Sequence, residues 1–162
     1  MSVTTARWGD SRAAIISARQ ACYYTNISPQ HHKLNIFWWE ALEEWERNMA
    51  TKCKRVTGFS GPVFSNEDDP FRGEVQFEHG LVAYDSFRVP RAYWKMVVAA
   101  GSQGKLAVAA YLMDQVSMVN QEVRWKSGRL EIDLADYRIT LPDLEKAARL
   151  RFAPALIEAQ EL

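Results

Sequence analysis

The sequence predicts an α+β fold, a central antiparallel sheet with flanking helices, and three observations point there. Apolar residues recur at helical spacing from about Asn35 to Thr51. Two apolar, partly β-branched runs, 93–99 and 106–112, stand either side of Gly101-Ser102-Gln103-Gly104 and read as an antiparallel hairpin. Helical and extended segments do not alternate as βαβ units, so a parallel sheet with crossover helices is not expected. A chain of 162 residues can bury one real core and is short for two. Six Trp, six Tyr and seven Phe supply the large apolar bodies that such a core needs.

Each element has its own justification. Residues 11–20 hold good helix formers and no breaker, so a short helix is expected there. Residues 22–25 read as a short strand, and Ser28-Pro29 turns the chain. In the long helix Trp38, Leu42, Trp45 and Met49 recur at steps of four, three and four. At about 100° per residue they share one stripe about 60° wide, which must be its buried face. An extended segment over 54–59, a turn at Gly61-Pro62 and a polar, acidic surface loop over 65–70 follow. Near the end Thr140 and Asp143 resemble a capping box, with Pro142 in the first turn of a helix running to about Leu150.

Charge is balanced, with 20 basic and 20 acidic residues, but unevenly placed. Residues 1–60 carry eight Lys/Arg against five Asp/Glu, and residues 61–162 carry twelve against fifteen. The small basic surplus around the long helix suits a polyanionic partner. No apolar run approaches the roughly 18–20 residues of a membrane span, so no membrane partner is expected. Met1 to Thr5 show no basic patch leading into an apolar stretch, so no signal peptide is visible and the compartment stays open. Two cysteines, Cys22 and Cys53, cannot build a disulfide scaffold or a zinc site alone and are expected as reduced thiols.

The long helix also has a polar face. With Asn35 at 0°, Glu43 falls at about 80° and Arg47 at about 120°, beside the apolar stripe, and the preceding turn brings Asn26 near. A hard cation such as Mg²⁺ takes oxygen ligands, keeps several waters and needs few protein groups. An amide oxygen and a nearby carboxylate meet that demand, and an adjacent guanidinium can stabilise charge developing on a phosphate. The same residues admit a structural reading, with Asn35 as N-cap of a helix from Ile36 and Glu43–Arg47 as a surface ion pair.

The run Tyr24-Thr25-Asn26-Ile27-Ser28-Pro29-Gln30, then Leu34-Asn35, Trp39, Leu42-Glu43 and Glu46-Arg47, resembles the core motif of the DNA/RNA non-specific endonucleases. So do Trp8-Gly9, the segments 57–64, 89–95 and 109–112, and Leu141 to Glu145, in the same order along nearly the whole chain. The resemblance implies a ββα-metal motif over 22–51. It implies that Asn35 holds the metal, Mg²⁺ with Mn²⁺ as an alternative, and that Glu43 holds water bound to it. Asn26 would then position substrate, and Arg47 would bind it and stabilise the transition state. The implied activity is hydrolysis of phosphodiesters in DNA and RNA, with indifference to sequence because contacts stop at phosphate and sugar. The family also implies a possible homodimer and, in many members, secretion or a periplasmic location.

One family signature does not occur: Asp-Arg-Gly-His, which supplies the general base, would fall at or before Met1. Residues 1–162 are therefore expected to form a single, N-terminally truncated nuclease domain. His31, His32 and His79 are poor substitutes, because in-line attack leaves little geometric slack. Loss of a general base costs about 10²- to 10⁴-fold in rate. Two expectations follow: an endonuclease whose activity in this chain alone is in question, or a catalytically inactive module that binds nucleic acid or metal without cleavage.

Overall fold

The computed structural model describes residues 28–53, 55–71, 73–77, 80–84, 88–100, 105–119, 125–126, 129–130 and 132–161, together with helical positions Arg12, Ile15, Ile16, Arg19 and Gln20. Those five positions agree with the short helix expected over 11–20. The strand expected over 22–25, and Asn26 and His79 with it, lie outside the described residues.

The long helix begins as a π-turn, Leu34–Trp39, and continues as α1, Glu40–Lys52. Ala, Leu, Glu, Arg, Met and Lys dominate α1 and all favour helix. Glu40 and Glu43 in its first turn and Lys52 in its last suit the helix dipole, and Cys53 ends it in an extended conformation. Asn35 is not an N-cap: the backbone is already helical at Lys33, and the Asn35 N–H donates to the His31 carbonyl at 3.1 Å. The structural alternative of Asn35 as an N-cap is thus ruled out.

After β1 (Val56–Val63) come β2 (Asp69–Pro70), the hairpin β3 (Gly73–Phe77) and β4 (Gly80–Tyr84), and β5 (Arg88–Val89), which pairs with β2. β6 (Ala92–Ala100) and β7 (Leu106–Asp114) form the expected hairpin, paired from Ala92↔Asp114 to Ala100↔Leu106. α2 (Gln115–Val119), β8 (Trp125–Lys126), β9 (Arg129–Leu130) and a 3₁₀ turn (Leu134–Tyr137) lead to α3 (Leu141–Ala148), α4 (Pro154–Ile157) and β10 (Gln160–Glu161). The main sheet has the order β1-β6-β7-β10, antiparallel except for the two-residue parallel edge β10. The fold is α+β.

Two local expectations need correction. No turn occurs at Gly61-Pro62, because β1 runs straight through it and pairs Pro62 with Tyr93. β1 is an outer strand among the described residues, where a proline's missing N–H costs no ladder bond. Ser65 to Asp68 form a turn, with the Asp68 N–H on the Ser65 carbonyl at 3.2 Å, but Asp69-Pro70 is strand β2 and Asp68 itself is buried. Its carboxylate accepts from the Ser65 and Arg91 amides at 2.9 and 3.1 Å, which offsets the cost of burial.

β6 is covered on both faces, which explains its near-continuous apolar run. Tyr93 and its neighbours Ala109, Tyr111 and Met113 on β7 pack beneath Leu34, Trp38, Trp39 and Leu42. Trp94, Met96, Val108 and Ala110 pack on the opposite face against Leu141 and Leu144 of α3. The Thr140 hydroxyl accepts the Asp143 N–H and caps α3 as expected. The helix stops at Ala148, two residues short of the expected end, where Arg149 turns left-handed at φ 54°.

Candidate active site

The site is built on the face covered by the π-turn and α1. Trp38 and Leu42 are buried in the core and Trp45 packs against it, as the spacing predicts, while Met49 is partly buried. That anchorage turns Asn35, Glu43 and Arg47 away from the deepest packing. A π-turn rotates less per residue than an α-turn, so starting the helix with one narrows the angular offset between Asn35 and Glu43. The two are eight residues apart, about 12 Å along the axis at α-helical rise and less where the π-turn shortens it.

Asn35 is half-buried, and its side-chain amide makes no hydrogen bond to the described residues. Glu43 is largely covered, with 14% side-chain exposure, whereas Arg47 is 56% exposed. Their closest N–O approach is 3.9 Å, so the expected i,i+4 ion pair forms but holds the guanidinium loosely. Arg47 therefore stays free to reach outward. Among the described residues no cluster of three or more His, Cys, Asp or Glu could hold a metal. An amide, one carboxylate and retained water suit a hard, hydrated cation better than they suit zinc.

The lead-in to this helix is tied down by groups that the sequence reading overlooked. The Tyr93 hydroxyl meets Ser28 Oγ at 3.1 Å and donates to the Pro29 carbonyl. Burial pushes the Tyr93 phenol above its ordinary pKa; the Ser28 hydrogen bond opposes this and the Asp68 charge adds to it. Gln115 Oε1 accepts the His31 N–H at 2.8 Å. His31 and His32 are both exposed, and His31 Nδ1 accepts the Lys33 N–H at 3.1 Å.

Beneath α1, Lys95 on β6 is buried and its Nζ lies 2.6 Å from Glu46 Oε2 and 5.4 Å from the Trp39 ring centroid. Gly58 makes room for this pair, since a Cβ there would collide with the Glu46 carboxylate. A lone lysine inside the apolar run of β6 was a sequence signal for such a pair. Nothing comparable marks Gln115.

The family model described as DNA/RNA non-specific endonuclease matches residues 6–158. The chain belongs to that family. Within the family it is 27% identical over 156 residues to the mitochondrial nuclease EXOG of Danio rerio, a match that spans 94% of this chain and 42% of that protein. It is 28% identical over 148 residues to nuclease C1 of Cunninghamella echinulata var. echinulata, across 89% and 53% of the two chains. To the nuclease of Serratia marcescens it is 27% identical over 130 residues, across 79% and 41%. The chain thus spans about half or less of the length of these relatives. Its fold is shared with a chain in the crystal structure of the EndoG/EndoGI complex, at a TM-score of 0.60 and 19% identity over 85% of this chain and 52% of that one.

Proposed function

We propose that this chain carries the metal-binding part of an endonuclease that hydrolyses phosphodiesters in DNA and RNA. The observation that carries the reading is the single helical segment bearing Asn35, Glu43 and Arg47, with Asn35's half-buried amide unpartnered among the described residues. Asn35 would hold the cation through its amide oxygen, and Mg²⁺, with Mn²⁺ as a substitute, fits so sparse an oxygen set. When bound, such a cation supplies Lewis-acid stabilisation of charge on the phosphate and leaving oxygens.

The remaining work falls to side chains. Glu43, largely covered and tethered only loosely to Arg47, keeps carboxylate oxygens for orienting water. Arg47 offers five N–H donors in a planar fork that matches phosphate oxygens, and its exposure lets it meet a polymer lying along the helix. Asn26, five residues before His31, would position the substrate, and residues 22–51 would form the ββα-metal unit. Contacts of these kinds address phosphate and sugar, which supports indifference to sequence.

The test is Mg²⁺- and Mn²⁺-dependent cleavage of plasmid DNA and of RNA, with EDTA as the blank. Asn35→Ala and Glu43→Ala should each lower the rate about 100-fold or more; equal rates in wild type and both variants would defeat the assignment. No Asp-Arg-Gly-His occurs in the 162 residues, which favours a second reading for this chain taken alone: binding of metal or nucleic acid without cleavage. Under that reading nucleic acid binds in a salt-sensitive manner and no turnover rises above the EDTA blank.

A further inference from the structure

Gln115 opens α2 directly after the last residue of β7 and is only 6% exposed. A buried amide is costly unless its donors and acceptors are matched. Here the residue bridges two stretches of chain, Pro90-Arg91 and His31. Nε2 donates to the Pro90 carbonyl, the backbone N–H donates to the Arg91 carbonyl at 2.8 Å, and Oε1 accepts the His31 N–H at 2.8 Å.

The last of these leads to the site. The His31 carbonyl accepts the Asn35 N–H at 3.1 Å, so two hydrogen bonds in series connect Gln115 to the backbone of Asn35. Tyr93 grips the same lead-in two and three residues earlier, at Pro29 and Ser28. All this lies at the start of the π-turn, where the helix departs from regular geometry and local bonds decide how high the Asn35 amide sits.

We propose that Gln115 is a positioning residue: through His31 it sets the placement of the Asn35 amide and thereby the affinity of the site for its cation. The inference rests on the reading of Asn35 as the metal ligand. Groups that orient a ligand without touching the metal are commonly worth about 10- to 100-fold in metal affinity.

Mn²⁺ binding, followed by electron paramagnetic resonance and calorimetry without substrate, tests it on the full chain. Gln115→Met keeps length and volume but removes both side-chain hydrogen bonds, and should weaken Mn²⁺ about 10-fold. Tyr93→Phe, which loosens only the earlier grip, should weaken it by a smaller factor than Gln115→Met does. Leu144→Ala, buried on the opposite face, should lower Tm while leaving the affinity unchanged.

Asn35→Ala separates the two readings. If it abolishes binding while Gln115→Met and Tyr93→Phe bind as wild type, the positioning role is overturned and the ligand assignment stands. If Asn35→Ala itself binds as wild type, both are overturned. Equal weakening by Leu144→Ala and Gln115→Met would also overturn the positioning role, since destabilisation alone would then account for the loss. Should Gln115→Met show no cooperative melt, the comparison of Tyr93→Phe with Leu144→Ala decides the matter in the same way.

Discussion

The two faces of the central sheet are packed by different chemistry. Against α3, the contacts are Trp94, Met96, Val108, Ala110, Leu141 and Leu144, with Phe152 edge-on to Trp94. Against the π-turn and α1, equally buried apolar groups are interleaved with Lys95, Glu46, Tyr93 and Gln115, each matched to a specific partner. Apolar contact is non-directional and tolerates small shifts, whereas hydrogen bonds and a buried ion pair fix distance and angle. The difference is a division of labour: the α3 face chiefly supplies stability, and the α1 face gives up some of it to hold one helix in register.

The largest effect expected on stability is on the apolar face. Leu144→Ala removes a fully buried side chain and should cost about 2–5 kcal/mol. Chemical denaturation reads that loss, and metal affinity should not follow it.

On the other face, Lys95→Met strands the Glu46 carboxylate beneath α1. It should cost about 2 kcal/mol, less than the roughly 3–5 kcal/mol of a fully buried pair, because Glu46 keeps part of its water. The double variant Lys95→Met/Glu46→Leu should recover most of that stability, because it removes the stranded charge and adds apolar contact. A double variant no more stable than Lys95→Met would contradict the picture of a polar pair kept for orientation.

The smallest effect is an alkaline pH dependence carried by Tyr93 on the α1 face. The Tyr93 pKa is raised in the folded protein above the ordinary 10.0. The folded state therefore holds that proton more tightly than the unfolded chain does. The resulting stability is fully present below about pH 10 and is lost as pH rises through the folded-state value. Melts taken between neutral pH and pH 11 should fall more steeply for wild type than for Tyr93→Phe; parallel curves would show that the phenol contributes nothing.

Much of this could be read from the sequence where neighbouring residues alone force a local pattern. The stripe Trp38, Leu42, Trp45, Met49 has a helix as its natural solution, and the apolar runs around Gly101 to Gly104 form a hairpin. The Thr140–Asp143 cap is likewise local, and there the capping hydrogen bond raises no tertiary question. Gly61-Pro62 misled because turn propensity is weak beside a whole strand's pairing with β6. The acidic run 65–70 hid a buried carboxylate because the amides that satisfy Asp68 include one 23 residues away, at Arg91.

The sequence by itself determined the α+β class and the long helix through local patterns, and its spacing put Asn35, Glu43 and Arg47 on one polar face, while the resemblance is what singled them out as site candidates. The resemblance carried in its motifs determined the family, and the match over residues 6–158 agrees with it. Only the tertiary structure decided that Asn35 sits inside a π-turn and not at a cap, that Lys95 pairs with Glu46 across the gap left by Gly58, and that Gln115, 84 residues from His31, holds the lead-in. Those depend on hydrogen bonds and ion pairs between distant segments, whose partners have no periodicity for a sequence to display.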